Sequence, residues 1–203
     1  GSRMDLSNYY SITCPADIFK IIYREYEKTL QRNRLIDFDD MMIQCHQLFS
    51  EREDILKLWQ NKFKYILVDE FQDINGLQYD IVKMLAMPRN NLFIVGDDDQ
   101  SIYRFRGSKP EIMLQFPKDY PDCKRISLDI NYRSTPNIIK AADKLIRHNL
   151  KRFDKKYVAI RDGGKNVVVR DCQSLTQENE AIANEILRLI REGTAYSQIA
   201  VLV

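Results

Sequence analysis

Residues 65–73 read YILVDEFQD, an apolar run that ends in two adjacent carboxylates, Asp69 and Glu70. A short apolar run of this kind suits a buried strand, and acids just beyond a strand's carboxyl end stand where open parallel sheets gather their ligands. One carboxylate there can hold a divalent cation, and a second can orient or deprotonate an attacking water. A helix N-cap acid pair explains DE alone equally well; the longer string DEFQD is more specific. The complementary phosphate-binding element is a loop of Gly, four residues, then Gly-Lys-Ser or Gly-Lys-Thr, whose backbone N–H groups and lysine hold phosphates. None of the seven glycines in the sequence is followed by that pair.

From residue 65 onward, short apolar runs alternate with helical patterns, which predicts an α/β fold built on parallel strands. The expected strands are YILV at 65–68, LFIV at 92–95, RISLD at 125–129, VVVRD at 167–171 and IAVLV at 199–203. Helices are expected near 75–87, 108–116, 136–150 and 177–192, with Thr135 capping the third, Pro136 at its first position, and Gly193 ending the fourth. Upstream, Pro15 opens a helix whose Ile18, Phe19, Ile22, Tyr23, Tyr26 and Leu30 form one stripe, predicted to be buried. A second helix follows Asp37, with Phe38, Met41, Met42, Cys45, Leu48 and Phe49 expected inward and acids at its positive end. FPKDYPDCK, with two prolines, is the candidate hinge between two α/β units, and RDGGKN is a turn within the second. No internal repeat or low-complexity tract interrupts this pattern.

The 203 residues carry 31 Lys and Arg against 29 Asp and Glu, so any nucleic-acid affinity must come from local patches rather than net charge. Four cysteines, Cys14, Cys45, Cys123 and Cys172, have no C-x-x-C spacing, which argues against a zinc ribbon or redox dithiol and for reduced thiols. No apolar run approaches a membrane span and no signal peptide opens the chain, so a cytoplasmic location is expected. Residues 1–4 are expected to be a cloning remnant ending at Met4.

Two further strings carry chemistry. VGDDDQSIYRFRGS at 95–108 leaves a strand, packs Asp97, Asp98, Asp99 and Gln100 into a turn, then presents Tyr103, Arg104, Phe105 and Arg106. Aromatics interleaved with arginines suit single-stranded nucleic acid, because rings stack on bases and guanidinium groups meet phosphates. The plainer alternative is an ordinary turn followed by a core-packed Phe105. In LDINYRSTPNII at 128–139, Arg133 lies between a strand and a capped helix, where it can reach a phosphate or form a surface salt bridge. The basic run RHNLKRFDKK at 147–156 could touch DNA phosphates or be a solvated helix end. The acids Asp69, Glu70, Asp73, Asp97, Asp98 and Asp99 could in principle form a two-metal nuclease cluster, although no lysine adjoins DEFQD.

In this order and spacing, the three strings resemble the UvrD/Rep/PcrA group of superfamily 1 DNA helicases. ILVDEFQD is similar to its motif II, VGDDDQSIYRFRGS to motif III and NYRST to motif IV, and the likeness covers nearly the whole chain. The resemblance implies RecA-like motor units, incomplete here: a helical segment at 5–64, the second half of a first motor domain at 65–120 and the start of a second at 121–203. It implies ATP and Mg²⁺ as cofactors and single-stranded DNA as partner, with 3′ to 5′ movement in DNA repair or replication. By the same likeness Asp69 binds Mg²⁺, Glu70 activates water, Gln100 senses the γ-phosphate and Arg133 approaches it from the second domain. Tyr132 matches the position that packs on adenine, and Tyr103, Phe105 and Arg106 match residues lining the single-strand channel. The family usually carries Trp where this chain has Phe105, so a weaker grip is expected. The missing phosphate loop is expected upstream of residue 4, leaving these residues alone inactive as an ATPase, or acting only as a binding module. A sheet edge left open by the missing strand would favour self-association.

Overall fold

The computed structural model describes residues 13–202, apart from the side chain of Arg106. The expectations for residues 1–4, and for the end of the last strand at 203, lie outside that range. Two compact units divide the chain: residues up to Asp129 together with Ile146–Lys156, and Ile130–Leu145 together with residues from Tyr157 onward.

The first unit begins with helices α1 (Ala16–Asn33), α2 (Phe38–Glu51) and α3 (Glu53–Lys62). Asp37 caps α2 by accepting from the Asp40 backbone, while Asp40 returns a bond to the Asp37 N–H, a reciprocal box that satisfies two otherwise orphaned donors. The expected burial of these helices is corrected. No residue of α1 is buried: of its stripe, Phe19 and Leu30 are half-buried and Ile18, Ile22, Tyr23 and Tyr26 are exposed. On α2, Phe49 is buried and Met42 and Cys45 are half-buried, whereas Phe38, Met41 and Leu48 are exposed.

Strands β1 (Ile66–Val68) and β2 (Leu92–Ile94) pair in parallel, as the alternation of strand and helix predicts, with Leu67 opposite Phe93. Helix α4 (Gly76–Ala86) connects them and α5 (Pro110–Asp119) follows. A reciprocal box between Asn75 and Gln78 starts α4. The core is aromatic and sits directly under the DEFQD turn. Phe71 is fully buried, meets Tyr79 and Phe116 edge-on with centroids 5.7 and 5.5 Å away, and packs with Ile74. Such edge-to-face pairs add about 0.5–1.5 kcal/mol each beyond their burial. The Tyr79 hydroxyl donates to Asp119 at 2.7 Å, tying α4 to α5. Burial and the Asp119 carboxylate push the Tyr79 phenol well above its ordinary value, so it stays a donor.

In the second unit, β3 (Ile130–Asn131) and β4 (Val158–Ala159) pair in parallel, and helices α6 (Pro136–Ile146) and α7 (Leu175–Arg191) complete it. The expected strands at 125–129, 167–171 and 199–203 are not formed among the described residues. Their residues have strand propensity, but a strand exists only where a neighbour takes its backbone hydrogen bonds, and Leu128, Val168 and Val169 stand exposed. Pro136 does open α6, and the Thr135 carbonyl accepts from Ile138 and Ile139. The Thr135 hydroxyl, however, is buried without a partner, so it does not act as the expected cap. Gly193 ends α7 in the left-handed region at φ 94°, donating to the Ile190 carbonyl while Thr194 donates to that of Leu189. All four cysteines are free thiols, and no described helix is long and apolar enough to cross a membrane.

Candidate nucleotide and nucleic-acid site

Asp69 and Glu70 follow β1 directly, and the chain turns there at a cost. Glu70 adopts φ 49°, ψ 41°, a left-handed conformation that a non-glycine residue enters at roughly 1–2 kcal/mol. Backbone bonds hold the turn in place: Val95 N donates to Val68 O, Phe71 N to Val95 O and Asp73 N to Glu70 O, each at 2.9 Å. One Asp69 oxygen, Oδ1, accepts from Glu70 N at 2.9 Å; the other accepts no hydrogen bond among the described residues.

Gln72 links this tip to the next. Only 2% exposed, its Nε2 donates to Glu70 Oε2 at 2.8 Å and its Oε1 accepts from the Asp97 backbone N–H at 3.0 Å. Ser101 Oγ adds a bond to the Gln72 carbonyl at 3.3 Å. Such an approach needs Gly96, because a Cβ there would stand 2.6 Å from Gln72 Oε1 and 3.1 Å from Phe71 N. Sequence reasoning passed over Gln72 as an individual residue. The available signal was a neutral amide, with both a donor and an acceptor, placed between two acids beside the buried Phe71.

On the second tip Asp97 caps the one-turn 3₁₀ helix Asp98–Gln100, accepting from Asp99 N at 3.1 Å, and its Oδ2 accepts from Gln100 Nε2 at 2.8 Å. The structure therefore brings Glu70 and Gln100 into one hydrogen-bonded chain through Gln72 and Asp97, with Asp69 beside Glu70. Arg133 and Tyr132 lie in the second unit, on the turn after β3. Asn131 Oδ1 shapes that turn by accepting from Arg133 N at 3.0 Å and Ser134 N at 2.8 Å, and both Tyr132 and Arg133 are exposed.

The acid triple carries a surprise in its partners. Lys155 Nζ lies 2.5 Å from Asp97 Oδ1, 2.5 Å from Asp98 Oδ1 and 3.0 Å from Asp99 Oδ2. Arg152 forks onto Asp99 at 2.8 and 2.6 Å, and Phe153 N donates to Asp98 Oδ2 at 2.9 Å. Both cationic side chains are 13% exposed. This corrects both expectations for the basic run at these two positions: Arg152 and Lys155 neither face solvent nor stand open to DNA. Burial works against the Lys155 charge, but its bonds to the three aspartates outweigh it and hold its pKa above the ordinary lysine value. Burial likewise pushes Asp97 and Asp99 up; Lys155 with Gln100, and Arg152 with Lys155, outweigh it and hold both below the usual carboxylate range. Oxygens of Asp97, Asp98 and Asp99 lie within 4.8 Å of one another, close enough for a metal. The cations already compensate them, which disfavours the two-metal nuclease alternative.

Phe105 sits on the 3₁₀ turn Arg104–Arg106 and is 78% exposed, its ring centroid 6.0 Å from that of Tyr103. The core-packed alternative for Phe105 is thereby overturned. Gly107, at φ 87°, reverses the chain so that Ser108 enters the interior while the rings stay outside.

Residues 5–121 match the UvrD/REP helicase N-terminal domain and residues 126–203 the UvrD-like helicase C-terminal domain. The chain is 41% identical to the "Probable DNA helicase II homolog" of Mycoplasma capricolum over 91% of its own length and 26% of that protein's. It is 42% identical to the ATP-dependent DNA helicase PcrA of Staphylococcus epidermidis and 40% identical to that of Staphylococcus aureus, in both cases over 89% of this chain and 25% of the relative. The chain thus spans about a quarter of the length of these curated relatives. With two matched domains covering nearly every residue and the DEFQD and GDDDQ tips joined as described, the chain belongs to the UvrD/Rep helicase family.

Proposed function

We propose that this chain supplies the hydrolytic and strand-contacting parts of an ATP-dependent DNA helicase that moves 3′ to 5′ along single-stranded DNA. The observation that carries this reading is the hydrogen-bonded chain Glu70–Gln72–Asp97–Gln100, which joins the ends of two parallel strands. An amide at Gln100 that can report on a phosphate is then mechanically linked to a carboxylate at Glu70 that can take a proton from water.

Asp69 offers a hard oxygen with no competing hydrogen bond, which fits Mg²⁺, a cation that takes one or two carboxylates alongside water and phosphate. Bound there, the ion would neutralise charge on phosphate oxygens. The buried turn fixes Asp69 and Glu70 on adjacent residues, so one can face the cation while the other stays available as a base. Arg133 supplies positive charge to the phosphates and Tyr132 a ring for the adenine. The 203 residues include no phosphate-cradling loop, so they are assigned the cation- and water-handling side of the ATP site only.

Tyr103 and Phe105, together with Arg106, are assigned to stacking and phosphate contact on single-stranded DNA; the exposure of both rings supports this. A role in DNA repair or replication in the cytoplasm accords with such an activity. Leu67 and Phe93, paired across β1 and β2 and 72% and 56% exposed, support self-association of these residues in isolation, readable by light scattering. The test of the main reading is unwinding of tailed duplexes by the full-length protein containing this chain. Unwinding from a 3′ tail that needs both ATP and Mg²⁺ is expected; unwinding without nucleotide, or only from a 5′ tail, would refute it.

A further inference from the structure

Ile146–Lys156 packs with the first unit, although Leu145 before it and Tyr157 after it belong to the second. The segment that carries Arg152 and Lys155 is therefore covalently tied to the second unit at each end. Three consecutive carboxylates in one turn repel one another and would turn towards water if left alone. An ammonium group has three donors, and Lys155 directs them at one oxygen each of Asp97, Asp98 and Asp99. Asp97 is the pivotal member because its two oxygens do different things. Oδ1 meets Lys155, while Oδ2 holds the Gln100 amide. The Asp97 backbone N–H continues the path to Gln72 and Glu70.

We propose that Lys155 is a positioning residue for ATP hydrolysis, fixing Asp97 so that Gln100 and, through Gln72, Glu70 are held ready on their strand tips. The proposal rests on the ATPase reading above. Lys155 touches neither nucleotide nor water in this role; it acts through Asp97. Arg152 orients the cluster by occupying Asp99, so that Lys155 is drawn towards Asp97 and Asp98 as well.

The test uses the full-length protein containing this chain, assayed for ATP hydrolysis with and without single-stranded DNA. Lys155→Met is expected to lower DNA-stimulated kcat roughly 10-fold or more, as loss of an orienting partner does elsewhere, with KM for ATP little changed. Lys155→Arg, which keeps the charge, should recover much of it. A variant combining Lys155→Met with Asp98→Asn and Asp99→Asn relieves the uncompensated charge; it should fold even where Lys155→Met does not, and must still show the lowered kcat. A folded variant with unchanged kcat, or with a raised KM and unchanged kcat, overturns the proposal. Absence of DNA-stimulated hydrolysis in the unmodified protein would instead overturn the ATPase reading beneath it.

Discussion

Replacing Gln72 by leucine keeps the side-chain volume but removes both ends of the link between the two strand tips. Two losses follow. The Asp97 backbone N–H, which donates to Gln72 Oε1 at 3.0 Å, is left without that acceptor, at about 1–3 kcal/mol for an unpaired donor in this half-buried place. The bond from Nε2 to Glu70 Oε2 at 2.8 Å also goes, but Glu70 is exposed and water can replace the donor, so this adds only about 0.5–1 kcal/mol. A total of about 1.5–4 kcal/mol is a large share of the roughly 5–15 kcal/mol that holds a domain together. Urea unfolding of the 203-residue chain at pH 7 should show the midpoint falling with an unchanged slope. Gln72→Glu gives an independent check, because it sets a second carboxylate against Glu70. In the folded state that new acid's pKa is raised, so its destabilisation should be small at pH 4 and grow as pH rises through the ordinary glutamate value, about 4.3. A leucine variant within about 0.5 kcal/mol of the parent, as for a surface substitution, would refute the account of Gln72 as the link.

Gly96→Ala places a methyl 2.6 Å from Gln72 Oε1 and should cost about 1–3 kcal/mol by overpacking; combined with Gln72→Ala the loss should be less than the sum, and strict additivity would show that the two do not meet. Phe105→Ala should weaken salt-sensitive binding of the chain to single-stranded oligonucleotides by about 1–3 kcal/mol in a fluorescence titration, and unchanged affinity would remove the stacking role. Asp97 and Asp99 are depressed in the folded state, so their contribution is full above about pH 4 and is lost as pH falls through their lower folded values. Lys155 is raised, so its contribution is full below about pH 10 and is lost only as pH rises through its folded value. Unfolding midpoints should therefore show no dependence from this cluster near neutrality, whereas the deficit of Lys155→Met should be small in acid and widen as pH rises from the lowered folded values of these aspartates to about 4; a deficit independent of pH would contradict the ion-pair description.

Much of the first unit was legible because its signals are local. Apolar runs ending in acids gave β1 and β2, and Asp37 gave the start of α2 through a box closed within four residues. What escaped is long-range. Lys155 meets the acid triple across more than fifty residues, so neither its charge nor its neighbours indicated whether solvent, DNA or protein would receive it. A run of three acids needing compensation was the only hint. Strand propensity at 167–171 likewise named residues able to pair without naming a partner, while β3 and β4 form at 130–131 and 158–159, each only two residues long. The stripe of α1 shows the same limit, since periodicity identifies a face but not what covers it. At the site, the acids and Gln100 were legible by type and spacing. Gln72 was not singled out, because its importance lies in a close backbone approach that only Gly96 permits.

The central claim is that the two strand tips form one hydrolytic site, and steady-state ATP hydrolysis by the full-length protein with Glu70→Gln tests it most directly. Loss of a general base should lower DNA-stimulated kcat by about 10²–10⁴ while ATP still binds. Turnover equal to that of the unmodified protein would contradict the claim.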